Sequence, residues 1–169
     1  MNMKNYIIGT LLVAILVLSS LMYKNSQTPH TSFPIPEEVS MRVEKDVEIP
    51  MFLFIFLSKH NCHDCLEVIK ELNSLPPHFI VTGIVPDRQL ENEKEVRMIT
   101  NAEFPLLGMS KFRKYEPWYT PGIIGTSYNG TILFTLPGVP EEKEYVKKFL
   151  NSLYAKVFSI FLEEMHSQK

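Results

Sequence analysis

The run Met51 to Leu57, "MFLFIFL", contains no polar side chain. Successive side chains of a strand point to opposite faces, so a strand with one wet face alternates apolar and polar residues. An unbroken apolar run leaves neither face for water. It is also far shorter than the roughly 20 residues that cross a bilayer as a helix. A strand buried on both faces fits, and such strands belong to α/β sheets covered on both sides. The rest of the chain must supply neighbours and cover for this segment.

Phe79 to Val85, "FIVTGIV", reads as a second buried strand. Between the two, Leu66, Ile69 and Leu72 recur at helical spacing, with Val68 flanking and Glu67, Lys70 and Glu71 on the other face. Asn61 is a candidate N-cap, and Leu75-Pro76-Pro77 stops the helix. Two strands joined this way should be parallel, through a right-handed crossover. Pro86 and Asp87 turn the chain, Leu90 to Thr100 reads as a surface helix, and Phe104 to Gly108 as a short apolar insert. Gly122 to Ser127 and Thr131 to Leu136 flank Tyr128-Asn129-Gly130, the strongest short hairpin signal. After Gly138 and Pro140 a helix starts at Glu141, with Tyr145, Phe149, Leu150 and Leu153 on one face. It continues through Val157, Phe158, Phe161 and Leu162. Upstream, Met41, Val43, Val47 and Ile49 alternate with polar residues and suggest an edge strand.

The N-terminus differs in kind. Tyr6 to Tyr23 carries no charge, and at about 1.5 Å per residue it nearly spans a hydrocarbon core of roughly 30 Å. Lys4 and the terminal amine precede it and Lys24 follows, which favours a cytoplasmic N-terminus with the remainder outside. A cleaved signal peptide is the alternative, but Leu21-Met22-Tyr23 after Ser19-Ser20 is a poor cleavage context. Either way the domain is exported. Residues 1–24 are thus read as an anchor, 25–40 as a polar, proline-containing linker, and 41–169 as the folded domain. A composition of 45% hydrophobic and 21% charged residues with a formal net charge of −2 suits a globular domain and gives no sign of a nucleic-acid partner.

Both cysteines of the chain, Cys62 and Cys65, follow the first strand and open the first helix. A helix N-terminus offers unpaired N–H groups and a partial positive charge, which stabilise a thiolate. Cys62 is therefore expected to attack, and Cys65, one turn on, to resolve. A Cys-x-x-Cys placed after a buried strand in a βαβ context is a redox signature.

From about Val39 to Leu153 the chain resembles a thioredoxin-like domain. "FLFIFLSKHNCHDCLEVIKEL" resembles that family's first core strand and active-site helix. "WYTPGIIGTSYNGTILFTLPG" resembles its cis-proline loop, closing hairpin and trailing glycine. The resemblance implies that Pro121 is the cis-proline facing the cysteines and that Thr120 offers backbone hydrogen bonds to a substrate strand. Trp118 and Tyr119 would line a substrate groove, ordinary packing being their alternative. The long insert between Pro86 and Trp118 resembles membrane-anchored TlpA-like reductases and redoxin domains. The chain departs from the family at Asn61, where an aromatic is usual, and at His63-Asp64, where Gly-Pro is usual. It departs again at Phe56, which stands where thioredoxin keeps a buried aspartate. No proton-shuttling acid is carried over; Asp64 and Glu67 are the nearby carboxylates. A protonated His63 would favour the Cys62 thiolate, and Asp64 would oppose it.

The implied reading is a three-layer α/β thioredoxin-like domain on one transmembrane helix, facing the periplasm or cell exterior. It would exchange thiols and disulfides with protein partners, in the reducing direction. It would need no cofactor beyond the Cys62–Cys65 redox disulfide, and electrons would come from a membrane donor. The alternative from another class is a copper or zinc module built on Cys62 and Cys65 with His60 and His63. Haem attachment fails because Leu66 follows the second cysteine. Peroxidase chemistry is disfavoured because Lys59 holds the place of the peroxiredoxin threonine. A purely structural disulfide would close only a tiny loop and stabilise little. His30, His78 and His166 are expected in solvent, Asp87 as a loop acid, and the Phe158, Phe161, Leu162 stripe in the core.

Overall fold

Met51–Phe56 forms strand β1, and all of its side chains are buried. The computed structural model describes residues 32–47, 49–58, 65–138 and 144–167, all in a packed unit that begins at Ser32. In chain order its elements are α1 (Glu37–Ser40), β1, α2 (Cys65–Asn73), β2 (Phe79–Val85), α3 (Asp87–Leu90) and α4 (Glu93–Thr100). Then come β3 (Leu106–Gly108), two 3-10 turns (Met109–Lys111 and Arg113–Tyr115), β4 (Gly122–Thr126), β5 (Ile132–Leu136) and α5 (Tyr145–Ser167). The sheet order is β3-β2-β1-β4-β5. β2 is parallel to both β1 and β3, while β4 runs antiparallel to β1 and β5 to β4. The fully buried runs take the centre, and the Asn129-Gly130 hairpin forms the far edge.

The pleat of β1 divides the core. Leu53, Ile55 and Leu57 pack with α2 and with Val146 and Leu150 of α5. Phe52, Phe54 and Phe56 point to the other face, among Phe33, Phe112 and Ile124. The Phe33 ring lies 4.3 Å from that of Phe54 and 5.3 Å from that of Phe112. Among the described residues no long helix covers this second face. Its cover is a strap, residues 32–43, together with the two 3-10 turns.

The strap corrects two expectations. Residues 25–40 are not a linker to their end, because Phe33 and Val39 are buried. The Phe33 N–H donates to the Gly130 carbonyl at 2.8 Å, and the Tyr115 hydroxyl donates to the Ser32 carbonyl. The packed unit therefore starts ahead of Met41. Nor do residues 41–49 form an edge strand. Pro36 starts the single turn of α1, with Glu37 and Glu38 in its first turn, and further turns follow. Lys45 breaks the alternation, and the burial comes from Phe33 and Val39; Met41 is 73% exposed. Two small elements also went unread. Asp87–Leu90 is a helical turn rather than a plain bend, and the apolar insert supplies β3, which pairs only with Gly83 to Val85.

Two glycines are required by shape. Gly130 has φ +84° at the hairpin tip, where a side chain would also meet the Phe33 carbonyl at 2.5 Å. A side chain at Gly125 would run into the Phe134 ring of the neighbouring strand.

Glu71 of α2, expected on a solvent face, reaches across to the start of α5. Its carboxylate accepts from the Glu144 N–H at 2.7 Å and the Lys147 N–H at 3.1 Å. This occupies two of the orphan donors of a helix N-terminus and places negative charge at its positive end. Glu71→Ala is expected to cost about 1 kcal/mol. Urea denaturation should show this as a lower midpoint at unchanged slope.

α5 extends as far as Ser167, and residues 141–143 before it lie outside the described residues. Phe158 is half-buried with its ring 6.2 Å from Tyr154, while Ile160 is 56% exposed. Of the expected stripe only the Phe158 side chain is described; those of Phe161 and Leu162 lie outside the described residues. His78 is not a solvent histidine. Its ring stacks 3.8 Å from Tyr154 and 4.4 Å from Phe79, and its Nε2 is buried with no hydrogen-bond partner among the described residues. Burial holds its pKa below 6.5. As pH falls through about 6.5, the unfolded chain takes up this proton before the folded one, so acidification destabilises the fold. The contribution is fully present above that pH. Urea midpoints at about pH 7.5 and pH 5 should differ less for His78→Phe than for the parent.

Among the described residues no helix is long and apolar enough to cross a membrane. The expected anchor, residues 1–24, lies outside them.

Candidate active site at the carboxyl end of the central strands

Parallel pairing puts the carboxyl ends of β1 and β2 at one end of the sheet. The chain leaves β1 through buried Leu57 and half-buried Ser58. Lys59 to Asp64 lie outside the described residues, among them the predicted nucleophile Cys62, His60, the Asn61 cap and the tuning pair His63-Asp64. The chain re-enters at Cys65, the first residue of α2 as described. Cys65 is completely buried and belongs to the apolar cluster between β1, α2 and α5. Its sulfur is shielded from bulk water on the sheet side.

β4 brings the second half of the site to the same end. Gly122 pairs with Phe56, the last residue of β1. Immediately before it, the Thr120–Pro121 peptide bond is cis. Pro121 is buried and Thr120 half-buried. Pro117 packs against Gly122 so closely that any side chain there would strike its ring. With the loop held at Pro117 and Gly122, Trp118 is 94% exposed and Tyr119 70% exposed. The packing alternative for these two aromatics is thereby removed.

α3 closes the flank. Gln89 Nε2 lies 3.5 Å from Ser58 Oγ, and Asp87 Oδ1 accepts from the Ser110 N–H at 3.3 Å. Beside it opens a hollow of about 610 Å³, lined by Pro86, Asp87, Arg88, Met109, Arg113 and Glu116. Sequence reasoning missed Gln89 and Arg113 here. The available signal was Pro86 followed by Asp87, a proline and an acid at a helix start.

The acids are absent where thioredoxin keeps one. Phe56 is fully buried on the phenylalanine face. Glu67 sits on the exposed side of α2. Among the described residues no three His, Cys, Asp or Glu side chains converge as metal ligands. Of the proposed ligand set only Cys65 is among them.

No protein-family model matches the chain, and no curated protein does. Solved structures do. A proposed thiol:disulfide interchange protein DsbE from Chlorobium tepidum superposes with a TM-score of 0.52 at 18% identity. That match covers 62% of this chain and 79% of the other. A thioredoxin-like protein solved in solution in its oxidised form gives a TM-score of 0.52 at 15% identity. It covers 77% of this chain and 93% of the other. Sheet order, the cysteine-bearing helix after β1, the cis-proline before β4 and these superpositions agree: the chain has the thioredoxin-like fold.

Proposed function

We propose that this chain is a membrane-tethered thiol–disulfide oxidoreductase that faces the periplasm or cell exterior and reduces disulfides in partner proteins. The observation that carries the reading is the shared sheet end: the helix bearing Cys65 starts there, and the cis Thr120–Pro121 bond precedes β4 there. The Cys62 thiolate attacks one sulfur of a substrate disulfide. The substrate S–S bond breaks, its other sulfur leaves as a thiolate, and a mixed disulfide joins substrate to Cys62. Cys65 then gives up its proton and attacks the Cys62 sulfur. The second substrate thiolate departs, and Cys62–Cys65 becomes the disulfide. Two electrons have passed to the substrate, and a dithiol donor in the membrane restores them.

The backbone at Thr120 would hold an extended substrate segment beside the sulfurs, and exposed Trp118 and Tyr119 would pack on it. A charged His63 favours the thiolate, and Asp64 opposes it.

The test is the reduction potential of the pair in the full chain in detergent micelles, equilibrated in thiol buffers and read by alkylation and mass. A reversible two-electron transition near about −270 mV supports a reductase, whereas one near about −120 mV makes the protein an oxidant. Failure to cycle removes the exchange reading. Stoichiometric copper or zinc on the anaerobically purified chain, lost in Cys62→Ser, would transfer these sulfurs to a metal-binding module.

A further inference from the structure

At the other end of the sheet the outer edge of β2 carries no paired strand among the described residues. β3 covers only Gly83, Ile84 and Val85. The preceding stretch, from Phe79 to Thr82, has β1 on its inner side and, among the described residues, no strand on its outer side. The polarity of the edge follows from bonds already made. The carbonyls of His78 and Ile84 accept from Met51 and Leu57, each at 2.8 Å, so even-numbered residues face β1. Odd-numbered residues face outward. The Gly83 N–H donates to the Pro105 carbonyl at 2.8 Å, and the Val81 carbonyl accepts from Arg42 Nη1 at 3.4 Å. Two outward groups remain, the Phe79 carbonyl and the Val81 N–H, and neither has a partner among the described residues. Backbone groups at a largely buried strand are nearly always paired.

These groups open into a cleft of about 260 Å³. Leu72, Leu75 and Phe104 give it apolar walls, and Arg42, Glu44 and Glu103 stand around it. We propose that the outer edge of β2 over Phe79 to Val81 is a docking site for one extended strand of a partner protein. This goes beyond the redox reading and does not depend on it. The spacing selects the ligand. A carbonyl, an N–H and a second carbonyl on alternate residues are what a neighbouring strand pairs with. The apolar walls take one side chain of the incoming segment. Two carboxylates against one guanidinium at the rim suit basic residues flanking it.

Arg42 acts as the plug. A charged side chain laid over a sheet edge is a common guard against unwanted pairing. Its bond at 3.4 Å is long for an N–H···O contact, so an incoming strand that donates to the Val81 carbonyl displaces it at little cost. The site lies toward the amino ends of β1 and β2. The cis-proline end stays open while a strand is docked.

The test is amide hydrogen exchange at Val81, followed by NMR on the full chain in detergent micelles. The probe is the peptide acetyl-Lys-Val-Thr-Val-Lys-amide, with an analogue N-methylated at alternate residues as control. Docking is expected to slow Val81 exchange by about tenfold or more, since the N–H gains a partner. The methylated analogue, which keeps the side chains and loses the backbone donors, should leave Val81 unchanged. Arg42→Ala should tighten peptide binding by about 3- to 10-fold through loss of the competing bond. The proposal is overturned if saturating peptide leaves Val81 exchange as it was, or if the methylated analogue acts equally. It is also overturned if Val81 is protected without peptide, or if Arg42→Ala chains pair with one another through this edge.

Discussion

Replacing Cys62 with serine is expected to bring disulfide reduction down to background, a loss of about three orders of magnitude or more. A hydroxyl does not ionise near neutral pH, so the attacking anion disappears, and among the described residues the one other thiol is Cys65. Cys65 cannot take over, because it is fully buried in the cluster between β1, α2 and α5. The informative partner variant is Cys65→Ala. Alanine avoids burying a polar hydroxyl at an apolar position, and the lost sulfur should cost only about 1 kcal/mol of stability. The first attack survives in that variant and resolution does not, so the mixed disulfide accumulates. Mass analysis after incubation with a disulfide-bonded peptide should find one adduct per chain on Cys65→Ala and none on Cys62→Ser. Equal turnover in parent and Cys62→Ser would remove the thiol mechanism.

Phe54→Ala is expected to cost about 3–5 kcal/mol. Phe54 is fully buried at the middle of β1, with its ring 4.3 Å from Phe33 and 6.2 Å from Phe112. Those contacts tie the sheet to the strap and to the segment between the two 3-10 turns. A typical domain has only about 5–15 kcal/mol in hand, so the variant approaches the limit of folding at room temperature. The strap should respond first, since Phe33 loses its main partner while the α2 and α5 face keeps its own. Urea unfolding followed by far-ultraviolet circular dichroism gives the total. Proteolysis between Ser32 and Val43 in native buffer should outpace cleavage elsewhere. A loss under 1 kcal/mol would mean the phenylalanine face is not a packed core.

What could be read from the sequence follows from how each element stores its information. β1 lies in an uninterrupted apolar run and β2 in one broken only by Thr82 and Gly83, and burial on both faces explains both. α2 declares itself by Leu66, Ile69 and Leu72, although Leu66 turns out to be exposed and Cys65 and Val68 complete the buried face. The hairpin is local chemistry, resting on Asn129 and Gly130. The strap had no such signal. Phe33 and Val39 are single apolar residues among prolines and polar neighbours, and only the phenylalanine row of β1, distant in sequence, makes them core. β3 is too short to show a period. Glu71 illustrates the same limit for a polar residue: its place on the helix wheel is right, but its partners are backbone donors of an element far along the chain. At the candidate site, Pro121 is one of 12 prolines, and only the resemblance of its surroundings singles it out. Gln89 and Arg113 reach the site through α3 and the 3-10 turns, elements whose existence depends on tertiary packing.

The strap also decides where this domain yields under load. A pull on the chain upstream of Ser32 arrives first at the Phe33–Gly130 hydrogen bond and the Tyr115–Ser32 hydrogen bond, at the hairpin tip. These are loaded one after another, as a zipper opens, whereas the strands beneath are held by a cooperative ladder. The strap therefore works as a mechanical fuse. Tension peels it from the phenylalanine face toward Arg42 before the register of β1 against β4 is disturbed. The helix carrying Cys65 and the loop carrying Pro121 keep their geometry while the strap is peeled away.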